Sequence, residues 1–175
     1  DEPALVIEPL NGYRSKERLP DNVGEYNEPL GVPEVVKNGT DISIVSYGST
    51  FNICLAAAKE LESMGVNCEV IDIQTLMPFD VNNKISNSLE KTNRLLVVDE
   101  DVSSGATAYI LDQVLVKQKG YYHLDSAPET LSAKDHRPAY GTDGDYFSKP
   151  SMDDIIEKTY EIMHEFDPEK YPPIY

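Results

Sequence analysis

Three consecutive acids, Asp99, Glu100 and Asp101, stand where an α/β protein would place catalytic or ligand-binding groups. They follow an apolar run that starts at Arg94, which predicts a strand covered on both faces. Ligands of such folds gather at the carboxyl ends of strands, and neighbouring carboxylates could hold a cation or transfer protons. No histidine or fourth oxygen ligand lies within reach along the sequence. We therefore favour a solvated loop, with one carboxylate capping the next helix at Gly105.

A second candidate, Gly48-Ser49-Thr50, lies between a predicted strand and a predicted helix. Backbone N–H groups and the helix dipole at such a place could hold a phosphate. The spacing matches neither G-x-G-x-x-G nor G-K-[ST]. A tight turn with a helix cap is therefore the favoured interpretation.

The histidines and cysteines form no catalytic set along the chain. His123, His136 and His164 are scattered, and no G-x-S-x-G motif accompanies them. His164 falls near a predicted helix C-terminus, where a positive charge is favoured. Cys54 and Cys68 have apolar neighbours and no ligand spacing, which predicts buried free thiols in a reducing compartment. The residues alone therefore predict no catalytic, cofactor-binding or metal site.

The charge of the chain limits its partners. Its 175 residues include 15 Lys and Arg and 31 Asp and Glu, a formal charge of −16, which repels nucleic acids and anionic membranes. No apolar run approaches the roughly 18 residues of a membrane span, and no signal-type N-terminus is present, so we expect a cytoplasmic protein. The acidity is interpreted mainly as a solubilising surface, and alternatively as a docking surface for a basic partner.

Alternating strands and helices predict the fold class. We predict strands at residues 34–37, 41–47, 69–73, 94–99 and about 129–132, with Asn38-Gly39 forming a hairpin between the first two. Helices are predicted at about 50–64 before Gly65, 80–90 with Asp80 as cap, 107–119, and after a cap at Ser151. The order indicates an α/β fold. It has a mostly parallel five-stranded sheet, helices on both faces and one antiparallel edge.

The first residues differ from the rest of the chain. Residues 4–8 are apolar and bounded by prolines, which suits a buried strand, whereas residues 9–33 carry Pro and Gly without periodicity. We predict that residues 1–8 end a neighbouring domain, 9–33 form a linker, and 34–175 form the main domain with an extended tail. The chain starts at Asp1 without a Met, which suggests a fragment of a longer protein.

Several segments resemble one enzyme family. Residues 65–80, G-V-N-C-E-V-I-D-I-Q-T-L-M-P-F-D, resemble the G-x-x-x-E-V-I-D-[LI]-[RQ]-T-[LI]-x-P-[LFW]-D segment of thiamine diphosphate-dependent 2-oxoacid dehydrogenase beta subunits. That segment belongs to their transketolase-type C-terminal domain. Residues 8–14, 29–41, 44–49 and 91–101 resemble further segments of the family in the same order. This co-linearity over roughly residues 5–130 is more specific than any single motif.

The resemblance implies an enzyme that decarboxylates a 2-oxoacid on thiamine diphosphate with Mg²⁺ and passes the acyl group to a lipoyl arm. It places the cofactor and the 2-oxoacid pocket in the diphosphate- and pyrimidine-binding domains, so this fragment is expected to bind no cofactor and to be inactive alone. In the family the C-terminal domain forms a homodimer and often docks the dihydrolipoyl acyltransferase component. The alternatives are an acetoin-cleaving dehydrogenase, another transketolase-type enzyme, or a pure docking module.

Asp125 is the docking residue that the resemblance implies. Residues 124–128, L-D-S-A-P, resemble an L-D-A-P segment whose Asp binds a basic patch of the acyltransferase, with Ser126 inserted here.

The tail, residues 166–175, is either a partner-binding arm or a segment that packs on its own domain. Residues 104–109 and 131–140 depart from the family wording. Residues 141–150 resemble bacterial forms in which alpha-like and beta-like parts share one polypeptide.

Overall fold

The computed structural model describes residues 2–16, 18–136 and 144–174. The strands within these ranges are β1 Glu34–Lys37, β2 Ile42–Ser46, β3 Cys68–Asp72, β4 Leu95–Val98 and β5 Glu129–Leu131. The α-helices are α1 Ser49–Ser63, α2 Lys84–Thr92, α3 Ala106–Leu111, α4 Gly144–Ser148 and α5 Met152–Phe166. A π-helix, Asp112–Lys117, continues α3, and two 3₁₀ helices span Leu10–Arg14 and Gly120–His123. In these ranges no helix has the length and apolarity needed to cross a membrane.

The strands form one sheet in the order β1-β3-β2-β4-β5. Three of the four strand pairs are parallel: β2 with β3, β2 with β4, and β4 with β5. The edge strand β1 runs antiparallel to β3, with Glu34 opposite Asp72 and a bulge between Val35 and Lys37. The predicted class, a mostly parallel five-stranded sheet with one antiparallel edge, is confirmed.

Helices cover both faces of the sheet, as predicted. On the first face, apolar residues of α1 and α5, among them Leu61 and Ile155, pack on β2, β3 and β4. On the second face, Ile85 of α2 and Ile110 of α3 pack on the same three strands. Because side chains alternate across a strand, Ile44 faces the first core and Val45 faces the second. All five strand positions of β2 are buried.

The two cysteines belong to the first core. Cys54 and Cys68 are free and fully buried, as predicted. Burial raises the pKa of each thiol to about 12. Because the thiolate is the nucleophile of cysteine chemistry, both groups are inert in the folded chain.

The predicted Asn38-Gly39 hairpin is wrong. A two-residue turn would set β1 beside β2, but β3 and β4 already occupy both sides of β2. The connection instead passes across the start of β3, where the Thr40 and Asp41 N–H groups donate to Asn67 O, each at 3.0 Å. A Cβ on Gly39 would lie 2.1 Å from the carbonyl carbon of Cys68. Gly39 is therefore required by this close backbone approach.

A buried polar network fixes α2 against β2 and β3. The Ser43 hydroxyl lies 2.6 Å from that of Ser88 and 2.7 Å from that of Thr92. Glu69, 2% exposed, accepts hydrogen bonds from Ser88 and Lys91. Since an unpaired buried carboxylate is costly, these donors hold α2 at one position along the sheet.

Of the two predicted helix caps, the one at Ser151 is confirmed, whereas the one at Asp80 is wrong because the N-cap residue of α2 is Asn83. Asp80 accepts hydrogen bonds from the N–H groups of Lys84 and Ile85 at 2.8 and 2.9 Å, although α2 begins four residues later than predicted. Ser151 and Asp154 form a reciprocal capping box at the start of α5. The predicted helix at residues 107–119 is found as α3 and the π-helix together.

The expected strand at residues 4–8 is wrong in this structure. These residues form no strand and are exposed, because no described strand lies beside them to complete their hydrogen bonds. The predicted division into a domain end, a linker and a main domain stays a prediction. Residues 1, 17, 137–143 and 175 lie outside the described residues. They include the start at Asp1 and much of the stretch that resembles the fused bacterial forms.

We expect Gly39→Ala to lower the free energy of unfolding by about 1–3 kcal/mol, the usual range for overpacking. The reason is that the new methyl group would overlap the β3 backbone. Gly12→Ala is the matched control, since its Cβ would make only an ordinary contact at 3.9 Å. Urea denaturation monitored by circular dichroism measures the stability of both variants. Equal midpoints for the two variants would contradict the crossing described above.

We expect both thiols to resist a disulfide reagent such as Ellman's reagent while the chain is folded, because they are buried and their pKa values are raised. Unfolding in urea should release two reactive thiols per chain. Reaction of either thiol in native buffer at the rate of free cysteine would show that this core is not closed.

Candidate functional site

The carboxyl ends of β2 and β4 form a crevice of the kind in which α/β proteins bind ligands. These strands are neighbours. The chain leaves β2 into α1 on the first face, and leaves β4 toward α3 on the second face. Connections that diverge from adjacent parallel strands open a crevice between them. The acids at residues 99–101 and the turn at residues 48–50 are brought together here.

Two of the three acids are held by neighbours on their own chain. The Tyr47 hydroxyl donates to Asp99 at 2.9 Å. Burial raises the pKa of the Asp99 carboxyl, although the bond from Tyr47 acts in the opposite direction. For Glu100, burial alone would raise the pKa, but Lys149, at 2.9 Å, and Ser49 lower it. Asp99 and Glu100 thus have structural partners.

The caps expected beside this crevice are absent. Asp101 accepts from the Val102 N–H at 2.8 Å and contacts Gly105, but no side chain caps α3, so the predicted carboxylate cap is wrong. The Asp101 carboxylate instead accepts a hydrogen bond within its own loop. The turn before α1 is present, with Gly48 at φ 62°, yet it too lacks a side-chain cap, because the N-cap residue is Gly48, which has no side chain. The Thr50 hydroxyl donates back to Tyr47 O.

The described residues do not fit the cofactor that the resemblance implies for the whole enzyme. Within residues 2–16, 18–136 and 144–174, no three His, Cys, Asp or Glu side chains converge into a potential metal site. The crevice presents Glu100 and Asp101, and two carboxylates there would repel a diphosphate. We therefore derive no catalytic step at this crevice.

The three histidines are found in three separate settings. The His123 ring lies 3.8 Å from a Glu90 carboxylate oxygen, and the His136 ring lies against Phe147. His164 occupies the last turn of α5, as predicted. Its Nδ1 lies 2.6 Å from Tyr171 O, so this histidine attaches the tail to the helix.

Asp125, the predicted docking residue, lies at the opposite edge of the sheet from the crevice. Its N–H donates to Asn93 O at 3.0 Å, at the amino end of β4, and the Asn93 side chain donates to His123 O at 2.9 Å. The Asp125 carboxylate pairs with Arg94 and is 37% exposed. Asp125 therefore has a structural role, and part of its carboxylate still faces solvent.

Arg94 has a structural role that its position in the sequence did not predict. It is 5% exposed. Besides Asp125, its guanidinium donates to Asp41 O at 2.8 Å and lies 3.5 Å from the centre of the Phe166 ring. The available signal was an arginine at the head of an apolar strand, since a buried guanidinium requires an acidic partner. Through Arg94 the structure brings the predicted docking residue to the end of α5.

A groove lies between α5 and the tail. Its volume is about 270 Å³, and its lining residues are Glu157, Tyr160, Glu161, His164, Pro173 and Ile174. The tail is anchored by Tyr171, which is 1% exposed and packs edge-on against the Tyr160 ring. Of the two expectations for the tail, packing on its own domain is thus confirmed at Tyr171.

Curated relatives match the chain along most of its length. It is 35% identical over 136 residues to the pyruvate dehydrogenase E1 component subunit beta of Acholeplasma laidlawii, covering 77% of this chain and 40% of the relative. It is 33% identical over 165 residues to the subunit of the same name from Staphylococcus aureus (strain N315), covering 93% and 49%. The chain thus spans about half the length of the curated relatives it matches.

Solved structures share the fold at low identity. A structure titled "Split gene transketolase, inactive beta4 tetramer" superposes with a TM-score of 0.67 at 20% identity, covering 79% of this chain and 44% of that chain. A Pichia stipitis transketolase mutant superposes at 0.57 with 13% identity, covering 83% and 20%.

The family description "Transketolase, C-terminal domain" matches residues 31–149. These residues contain all five strands, α1 to α4, the crevice and Asp125. The resemblance predicted from the sequence is confirmed, and the chain belongs to the transketolase C-terminal domain family.

Proposed function

We propose that this chain is the C-terminal domain of the decarboxylating component of a 2-oxoacid dehydrogenase, and that it serves dimerisation and docking of the dihydrolipoyl acyltransferase. The observation that carries the proposal is the match to pyruvate dehydrogenase E1 beta subunits, at 33–35% identity over 136–165 residues. The match to transketolases is weaker, at 13–20% identity, so an E1-type enzyme is favoured over a sugar-phosphate enzyme.

The proposed chemistry takes place outside this chain. Thiamine diphosphate and Mg²⁺ are held by the diphosphate- and pyrimidine-binding domains of the full-length cytoplasmic enzyme, which oxidatively decarboxylates the 2-oxoacid. The acids at the crevice and the absence of a converging metal-ligand group among the described residues support this division. The isolated fragment is therefore inactive.

Docking is proposed along α5, with two parts: Asp125, which pairs with Arg94 beside the end of the helix, and the groove between the helix and the tail. Residues 152–170 carry seven acids and two lysines, which favours a basic partner and speeds its association. The groove adds apolar contact through Tyr160 and Ile174. Arg94 offsets part of the Asp125 charge, so the groove acids Glu157 and Glu161 supply much of the attraction.

We expect the chain to show no Mg²⁺-dependent binding of thiamine diphosphate by isothermal titration calorimetry, because the crevice acids repel a diphosphate. The full-length enzyme is the positive control. Saturable binding to the chain at micromolar concentrations would overturn the proposed division of roles.

We expect Asp125→Asn to weaken binding of the basic subunit-binding domain of a dihydrolipoyl acyltransferase about tenfold, or about 1.4 kcal/mol, because one exposed carboxylate charge is lost. Calorimetry at low salt measures the dissociation constant. Ile174→Ala should weaken binding by removing apolar contact in the groove.

Glu60→Gln, an exposed acid on α1, is the matched control and should bind as the unmodified chain does. Thermal denaturation of Asp125→Asn separates docking from folding, since the substitution also leaves Arg94 without its acidic partner. A folded Asp125→Asn chain that binds with unchanged affinity would remove Asp125 from the docking surface.

A further inference from the structure

A pocket lies on the second face of the sheet, between α2 and the edge strand β1. Its volume is about 380 Å³, within the range of small-molecule sites. Residues of β1 and its end, of β3 and of α2 line the pocket, and they include Val35, Asn38, Glu69, Lys84, Asn87 and Lys91. None of them belongs to the crevice or to the proposed docking surface.

The sequence of α2 places several polar groups along one side of the pocket. Asn87, Ser88 and Lys91 follow Lys84 by three, four and seven positions, a spacing that puts side chains on one face of a helix. Ser88, which is 6% exposed, donates to Glu69 at 2.5 Å. These two buried groups form the bottom of the pocket, and the other three side chains are more exposed.

Both lysine ammonium groups are held in place by the chain itself. The Lys84 ammonium donates to Pro33 O at 2.8 Å, and the Lys91 ammonium pairs with the Glu69 carboxylate. Glu69 is fixed in turn by the Gly39 N–H, which donates to it at 3.3 Å. Because these groups are already ordered, a ligand that meets them loses little binding energy to the ordering of side chains.

The pocket carries a positive charge in a chain whose formal charge is −16. Its charged lining residues are Lys84, Lys91 and Glu69, which leaves a net charge of one positive unit. Lys91 is compensated by Glu69, whereas Lys84 forms no ion pair within the described ranges. One negative charge on a ligand would neutralise this lining, and a ligand with two would leave it negative.

The acids that neighbour the pocket in sequence have other partners. Glu90, on α2, lies 3.8 Å from the His123 ring, and Glu34, on β1, accepts from the Gln74 side chain at 3.3 Å. Asp80, before α2, is 1% exposed. Since charges are screened beyond about 8 Å at physiological salt, an anion inside the pocket interacts mainly with the charges that line it.

The neutral lining determines what else the ligand should carry. The side-chain amide of Asn87 offers both donors and an acceptor, and it lies one helical turn from Lys84, about 5–6 Å between Cβ atoms. A short hydroxy acid can bridge two such groups. Val35 and the hydrocarbon stems of the lysines add apolar area. A matching ligand therefore has one carboxylate, a short carbon body and a hydroxyl group.

We propose that this pocket binds a small hydroxylated monocarboxylate, with its carboxylate at Lys84 and its hydroxyl at Asn87. The binding site is independent of the proposed function, because it uses no residue of the docking surface and no thiamine diphosphate. Asn38 lines the pocket at the end of β1, so its side-chain amide is a reporter of occupancy that takes no part in the proposed contacts.

The test is a titration of the ¹⁵N-labelled chain followed by nuclear magnetic resonance, with the Asn38 side-chain amide signal as the reporter. The probe is 3-hydroxybutyrate, for which we expect a dissociation constant on the order of 1 mM. Butyrate lacks the hydroxyl and should bind about threefold more weakly. The uncharged 1,3-butanediol should cause no saturable shift.

Lys84→Gln should raise the dissociation constant of 3-hydroxybutyrate at least about tenfold, because an uncompensated charge is lost. Lys59→Gln is the matched control, since it removes the same charge from an exposed position on α1, and it should bind as the unmodified chain does. Asn87→Ala should weaken the binding of 3-hydroxybutyrate but not that of butyrate, because only the former carries a hydroxyl.

Three results would each overturn the proposal: no saturable shift with 3-hydroxybutyrate, equal binding of 1,3-butanediol, or unchanged binding by a folded Lys84→Gln chain. Circular dichroism checks folding. If Lys84→Gln does not fold, Asn87→Ala decides, since Asn87 is exposed on α2 and alanine favours a helix. An Asn87→Ala chain that still prefers 3-hydroxybutyrate over butyrate as the unmodified chain does would also contradict the proposed contacts.

Discussion

The burial of one permanently charged side chain, Arg94, determines the arrangement of the amino end of the sheet. A guanidinium keeps its proton in proteins, so it must find acceptors where water is excluded. Arg94 finds them in the Asp41 carbonyl before β2 and in the Asp125 carboxylate after the second 3₁₀ helix, and it stacks on Phe166 at the end of α5. Three parts of the chain that are distant in sequence are thereby fixed at one point. Docking at this place would use a surface that the fold has already made rigid.

Much of this fold could be predicted because its signals are local. The apolar strands, the Ser151 capping box and the glycine after α1 each depend on a few neighbouring residues. The failures have non-local causes. Asn38-Gly39 has the preferences of a hairpin turn, but the positions beside β2 are taken by β3 and β4, whose paired residues lie 26 and 52 positions further along the sequence. The order of the strands in the sheet therefore determines this connection, and the local turn preference of Asn38-Gly39 does not.

The candidate site could be predicted only in part for the same reason. Asp125 was found through a resemblance, but its partner Arg94 is 31 residues away, and the contact with Phe166 spans a still longer stretch of chain. The three acids at residues 99–101 were correctly placed at a strand end. Their partners Tyr47 and Lys149 come from opposite parts of the sequence, and no spacing rule connects them. A constellation of charges on different elements is visible only after the elements are assembled.

The bulge in β1 has a consequence for how the domain behaves at high concentration. An outer strand with regular spacing offers a row of free N–H and C=O groups to which strands of other molecules can attach. Here one outer strand changes register between Val35 and Lys37, and the other, β5, is three residues long. Neither border gives an incoming strand a long, regular ladder. Uncontrolled fibre-like growth along the sheet is thus disfavoured, and ordered contacts between molecules are left to the helical faces.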